Sequence, residues 1–263
     1  MGMPVPVPGV MGLPHFVVEI ELQGSTPSRF ILEGSEAHHL TRVLRLGPGD
    51  LVRLVDGRGG IAVARIVGEQ GQAVALEIVE TGRPQEDRLP VDIIVGVLKG
   101  ERMDWLIQKA TELAVRAVHP VLMEHTVVRM DSKRASGRLF RWRQIARQAL
   151  KQCRGLVAPV VYPVIALEEA LSETPRSAAK MVFWECEGEQ DLVSAWREQA
   201  CAVPVTLVIG PEGGLSSAEL QSCRGAGFRT ASLGRRTLRA ETAAIAGIAV
   251  LGALMEWREG GRG

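Results

Sequence analysis

The chain has 263 residues, 46% of them hydrophobic and 23% charged, and a formal net charge of +1. Such a length is ample for a buried core and allows two domains, while the near-neutral balance excludes a generally basic nucleic-acid coat and leaves only local patches for a polyanion. The four cysteines, Cys153, Cys186, Cys201 and Cys223, form no C-x-x-C pair. This argues against a zinc site or a disulfide framework and fits a reducing cytoplasm. Residues 1–13 are rich in Pro, Gly and Val without a basic n-region, so no signal peptide is expected. No apolar run is long enough to span a bilayer.

Residues 15–80 read as short strands at 15–20, 51–55, 61–67 and 73–79, with hairpin turns at 56–60 and 68–71. A short helix at 35–46 interrupts them and carries His38, His39, Arg42 and Arg45. Strands at this spacing suggest a small barrel. Adjacent histidines on a helix point about 100° apart, and no partner stands at metal-site spacing, so no metal is expected. The polar, proline-broken stretch 81–90 reads as a linker.

Beyond it strand alternates with helix, which argues for a parallel sheet covered on both faces. The expected strands are 91–98, 117–123, 160–164, 180–184, 205–209 and 230–233; the expected helices are 101–115, 139–153, 167–172, 191–199, one opening at Ser216, and 242–257. Arg143, Arg147 and Lys151 recur every four residues and share one helix face, with Arg154 just beyond. A charge run is usually a solvated face, but this one has almost no acidic residues beside it, which favours a polyanion contact. The last helix is apolar all round, so it must be buried; its small residues, Gly247 among them, make it a candidate subunit interface.

The most informative stretch is Val205-Thr-Leu-Val-Ile-Gly-Pro-Glu-Gly-Gly-Leu-Ser-Ser-Ala-Glu-Leu220. A β-branched run ends at Gly210, a glycine-rich turn follows, and Ser216 with Glu219 forms a capping-box pattern. Strand, tight turn and helix N-terminus make a shelf of backbone N–H groups at a sheet end. It is neither a P-loop nor G-x-G-x-x-G, and Glu212 would repel a phosphate. A neutral or cationic ligand such as S-adenosylmethionine fits better; a turn that uses glycine only for geometry is the alternative.

Three segments, Leu98-Lys-Gly-Glu-Arg-Met-Asp-Trp-Leu-Ile-Gln-Lys-Ala-Thr-Glu-Leu113, Ile209-Gly-Pro-Glu-Gly-Gly-Leu-Ser216 and Leu233-Gly-Arg-Arg-Thr-Leu-Arg-Ala-Glu-Thr-Ala243, together resemble the RsmE-type family of ribosomal RNA small subunit methyltransferase E. His38-His39-Leu-Thr-Arg-Val-Leu-Arg45, followed by Gly49-Asp50, is similar to that family's N-terminal domain. The resemblance spans about 15–256 and implies an α/β fold: a PUA-like, RNA-binding β-barrel over 1–80, then a SPOUT methyltransferase domain over 91–263 with a C-terminal trefoil knot. It further implies a cytoplasmic homodimer that binds S-adenosyl-L-methionine, acts on 16S rRNA within the small ribosomal subunit, and methylates N3 of one uridine near the decoding site, without a metal or a membrane.

Carried over by position, the knot loops are 184–186, 210–214 and 233–241. The implied cofactor contacts are Trp184 and Glu185, then Ile209, Gly210, Pro211, Glu212, Gly213 and Gly214, then Leu233, Gly234, Leu238, Thr242 and Ala243. The RNA contacts are assigned to Arg42, Arg45, Lys99, Arg143, Arg147, Lys151 and Arg154. Four departures from the family pattern stand out: Ala114 where Gly is usual after Glu-Leu, His125 where Arg is common, Lys151 in place of an acid before Gln152, and the following Arg shifted to Arg154. They are expected to affect the RNA-facing surface and leave the cofactor site untouched.

Uridine N3 lies on the Watson–Crick edge, so the base must be unpaired or turned out. Methylation needs a proton acceptor and a cation for the charge that spreads onto O2 and O4. Arg239 is the candidate cation. Glu241 either accepts the proton or caps the last helix, since acids favour helix N-termini. A SPOUT methyltransferase with another target, or a non-catalytic assembly factor, are the alternative readings.

Overall fold

Two hairpin turns, at Gly57 and Gly71, both with positive φ, fold the first sheet back on itself. The computed structural model describes residues 12–22, 28–82, 88–128, 131–188 and 190–260. It separates Met1–Asp87 with Leu150–Ala158 from Arg88–Ala149 with Pro159–Gly263. Half of the expected linker, 83–87, lies outside the described residues. Its flanks are strand, so the polar stretch read as a linker is shorter than composition suggested. Residues 150–158, read as part of the second domain, belong to the first unit.

In that first unit β1 (His15–Val17), β2 (Arg29–Leu32), β3 (Leu51–Val55), β4 (Ile61–Gln70) and β5 (Ala73–Gly82) form one sheet in the order β1-β3-β4-β5-β2. The pairs are antiparallel except β1 with β3. Alternation places Val52, Leu54, Ala64, Ile66, Val74 and Leu76 in one core with Phe16 and Leu40. Val17, Val55, Ile61 and Val63 pack instead with Leu150 and Ala158. The expected helix at 35–46 is α1 (Gly34–His38) running into a π-helical turn, His39–Val43, and the chain then leaves helix with Arg45 at φ 55°.

In the second unit β6 (Leu89–Gly96), β7 (Val115–Leu122), β8 (Val160–Val161), β10 (Ala179–Phe183), β11 (Val205–Ile209) and β12 (Arg229–Ala231) form a parallel sheet in the order β12-β10-β11-β6-β7-β8; β9 (Ile165–Ala166) also pairs with β7. Alternate residues of its strands serve two cores. Ile93, Val95, Val205, Leu207 and Ile209 pack with α2 (Glu101–Glu112), α3 (Ser132–Cys153), α5 (Leu192–Arg197) and α7 (Ala240–Gly260). Ile94, Val121, Val182 and Val208 meet α4 (Leu167–Glu173) and α6 (Ser217–Gly225). Ser216 caps α6 in a full capping box with Glu219.

Two expectations need correction. α7 is not buried all round: Ala244, Ile248, Leu251 and Met255 face the sheet, but Ala249, Val250 and Ala253 are exposed. Gly247 belongs to the buried side, where an added Cβ would lie 2.6 Å from Phe183 Cζ and 3.4 Å from Leu207 Cδ1. It therefore gives close approach to the chain's own sheet and is not a subunit-interface residue. Among the described residues no helix is long and apolar enough to cross a membrane.

Candidate functional site

A parallel sheet exposes its strand ends at the loops that follow them, and here three adjacent strands, β10, β11 and β12, end together. Phe183, Ile209 and Ala231 close these strands and line a cavity of about 250 Å³. Its walls are the three loops singled out from the sequence. Trp184 and Glu185 come from the first; Gly210, Pro211, Glu212 and Gly214 from the second; Leu233, Gly234, Leu238 and Arg239 from the third, with Ala243 from α7.

The second loop turns sharply because Gly214 N–H donates to the Pro211 carbonyl at 2.9 Å and Gly214 adopts φ 72°, a conformation that costs a side-chain-bearing residue. The third loop is pinned at its start, where Ser232 N–H donates to the Gln190 carbonyl and the Ser232 carbonyl accepts from Leu192 N–H. It ends where Ala243 N–H donates to the Arg239 carbonyl at 2.8 Å, opening α7. Apolar Phe183, Leu215 and Leu238 face carboxylates from Glu185 and Glu212 and guanidinium groups from Arg102, Arg235, Arg236 and Arg239 in the lining. Such a wall suits a flat heterocycle joined to a group of mixed charge.

Gly213, Thr242 and Glu241 are not brought to this cavity. A Cβ on Gly213 would stand 2.8 Å from His125 Cβ, so this glycine makes room for His125. His125 Nδ1 also lies 3.2 Å from the Gly214 carbonyl. The departure at His125 thus touches the glycine turn, contrary to the expectation that it concerned only an RNA-facing surface. Thr242 is exposed. Glu241 sits in the first turn of α7 with its carboxylate 3.8 Å from Arg102 Nε, and its Oε2 is buried without a hydrogen-bond partner among the described residues.

Arg102 was missed in the sequence. Its Nη1 donates to Glu212 Oε1 at 3.3 Å, and Lys99 N–H donates to the same oxygen at 2.9 Å. The Glu212 carboxylate is therefore partly neutralised where it lines the cavity. The available signal was the acid–base complementarity of the Lys-Gly-Glu-Arg run and the Pro-Glu-Gly-Gly turn, which becomes visible only when β6 and β11 are known to be neighbours. Glu219 was read as a cap only, yet its Oε1 also accepts from Glu124 N–H at 2.7 Å.

The expected RNA contacts scatter. Arg42 and Arg45 are exposed beside exposed Val43 and Leu44. Lys99 is exposed as well. On α3 the shared face is engaged within the protein: Arg143 donates twice to the Val161 carbonyl, at 3.1 and 2.9 Å, and Lys151 Nζ bonds Glu36 Oε1 at 2.5 Å. Arg147 is half-buried. For Lys151 the missing acid is supplied from far along the chain. Arg154 is exposed, and its carbonyl accepts from Arg53.

Comparison with known proteins adds the following. Residues 85–252 match a family model described as an RNA methyltransferase domain, and residues 32–79 one described as an RNA methyltransferase PUA domain. Ribosomal RNA small subunit methyltransferase E of Bacillus subtilis is 30% identical over 236 residues, covering 88% of this chain and 92% of that protein. The crystal structure of ribosomal RNA small subunit methyltransferase E from Neisseria gonorrhoeae, bound to S-adenosyl methionine, is similar with a TM-score of 0.79 and 33% identity, covering 92% of this chain and 98% of that one. A putative methyltransferase of Legionella pneumophila, solved with its bound cofactor, gives 0.77 and 28%, covering 92% and 98%.

Proposed function

The chain belongs to the ribosomal RNA small subunit methyltransferase E family, and on that premise we propose that it methylates N3 of one uridine in 16S rRNA. It is an S-adenosyl-L-methionine-dependent methyltransferase of small-subunit rRNA with a PUA-like N-terminal domain and a SPOUT catalytic domain. The observation that carries the finer reading is the meeting of three loops, 184–186, 210–214 and 233–241, at one cavity with Arg239 in its wall.

The cavity residues fit the cofactor. Phe183, Ile209 and Leu238 offer an apolar bed for adenine, and Glu185 and Glu212 place negative charge where a sulfonium gains from it. The cofactor supplies an electrophilic methyl group, so no metal is required for transfer. The target uridine must be unpaired or turned out for N3 to reach it. Arg239, exposed at the cavity wall, holds the charge that develops on the uracil oxygens as N3 gives up its proton to solvent water. Glu241 does not line the cavity, so its role is assigned through Arg102: one buried carboxylate and Glu212 together orient that guanidinium.

Arg42 and Arg45 of the first unit, with Lys99, are assigned to RNA phosphates. The exposed strip of Ala249, Val250 and Ala253 on α7 suits a two-fold contact with the same helix of a second copy, and the dimer, the knotted path of the loops and a cytoplasmic site of action complete the reading. Incubating the protein with small ribosomal subunits and S-adenosyl-L-methionine, then analysing the nucleosides, tests it. The expected product is N3-methyluridine; a ribose 2′-O-methyl product, or no transfer at all, would replace the reading with one of its rivals.

A further inference from the structure

A second cavity, about 330 Å³, lies on the other face of the parallel sheet. Its floor is one row of aligned residues across four strands: Thr206 pairs with Asp92, Asp92 with Ala117, and Ala117 with Val160. One step along, Ile94 is aligned with His119. The C-terminal end of α4, through Ala170 and Glu173, forms a wall. None of these residues lines the cavity formed by the three loops.

Three features mark this cavity as more than a packing gap. The His119 and Tyr162 rings stack with centroids 4.3 Å apart and planes 10° from parallel, and Tyr162 remains 39% exposed. Burial lowers the His119 pKa despite Asp92 and Glu173 nearby, which favours the neutral ring in the stack. Thr206, only 2% exposed, has a buried Oγ1 with no hydrogen-bond partner among the described residues. A buried hydroxyl left unmatched costs free energy that a ligand would recover. Beside it Arg116 grips Asp92 through two hydrogen bonds.

The chemistry of the lining selects the ligand. Arg88 and Arg116 are balanced by Asp92 and Glu173, so the lining does not favour a phosphate or a carboxylate as the main recognised group. A flat aromatic platform, an unmatched hydroxyl and a fixed ion pair suit a neutral heterocycle with its own donors and acceptors. We propose that this cavity is a nucleobase-binding site, in which one unpaired base stacks on Tyr162 with its polar edge toward Thr206. The base could come from a free nucleoside or from single-stranded RNA, and base–aromatic stacking is the common chemistry of both. The site is separate from the methyl-transfer reading and is measured without methyl transfer.

Tyr162 is the single tyrosine of the chain, so 3-fluorotyrosine incorporation gives one fluorine resonance at the site. The full-length protein, saturated with S-adenosyl-L-methionine to fill the first cavity, is titrated with uridine, with adenosine, with a short single-stranded RNA, and with the same strand carrying abasic positions. The resonance should shift saturably with the nucleosides and with the intact strand. A shift with the intact strand alone would assign the base to RNA. Thr206→Val, nearly isosteric but without the hydroxyl, should weaken that binding by about three- to tenfold while S-adenosyl-L-methionine affinity stays unchanged, which also reports that the variant is folded. No shift with nucleosides or RNA, an equal shift with the abasic strand, or unchanged affinity in Thr206→Val would overturn the proposal.

Discussion

Gly247→Ala tests whether α7 and the cavity between the three loops are mechanically joined. A new Cβ at this position would lie 2.6 Å from Phe183 Cζ and 2.8 Å from Cε2. Carbon atoms in good contact stand about 3.5–4.0 Å apart, so the ring must move by roughly 1 Å. Leu207 Cδ1, 3.4 Å from the new atom, limits retreat toward the core, and Phe183 lines the cavity on its other side. Replacing Gly by Ala within a helix gains about 1 kcal/mol, whereas overpacking costs about 1–3 kcal/mol. The net change is therefore a destabilisation of about 0–2 kcal/mol, too small to unfold the chain. The ring driven into the cavity should lower S-adenosyl-L-methionine affinity about tenfold, or about 1.4 kcal/mol. Urea unfolding and titration calorimetry measure the two effects separately. A variant stabilised by the full helix-propensity gain, with unchanged affinity, would refute the reasoning.

Three further outcomes follow from the geometry. Ala114 holds φ 55° just past the end of α2, where an L-residue carries roughly 1–2 kcal/mol of strain; Ala114→Gly should stabilise the protein by up to about 1 kcal/mol after the unfolded-state entropy of glycine is deducted, and a lower denaturation midpoint would contradict this. His15 is held to a pKa of about 4, first by burial and then by Arg53 and Arg154. Its neutral form is favoured by folding, so the unfolded chain binds the extra proton: stability should fall as pH drops from about 6.5 and level off near 4, and His15→Leu should remove that part of the slope. An identical pH profile in the variant would show that the histidine is not the cause. Arg102→Met takes the guanidinium from both Glu212 and Glu241, leaving Glu212 with the Lys99 N–H, and should slow methyl transfer at least about tenfold with the fold intact by circular dichroism; undiminished turnover would remove these two ion pairs from the account.

Much of the catalytic half was legible because its signals are local. The run from Val205 to Ile209 is a strand to the residue, and the Ser216–Glu219 pattern forms the capping box it implies. Buried parallel strands and capped helices write themselves into short windows of sequence. What escaped depends on contacts between distant segments. The short edge strand Arg29–Leu32 gave no periodic signal, and it is recognisable only through its pairing with β5. The basic face of α3 looked free because Glu36, which binds Lys151, is remote in sequence. Likewise nothing near Gly213 announces His125, or near Glu212 announces Arg102. At Ala114 the departure from the family's glycine was visible, but its consequence, a strained left-handed turn, required the backbone.

Primer extension on 16S rRNA, from small subunits treated with the protein and S-adenosyl-L-methionine, tests the central claim most directly. A methyl group on N3 occupies the Watson–Crick edge and blocks base pairing, so reverse transcriptase should stop one nucleotide before a single uridine, only when protein and cofactor are both present. Arg239→Ala should abolish the stop while leaving the cofactor bound. Read-through of every uridine in RNA that has nevertheless gained a methyl group would place the methyl elsewhere and contradict the account.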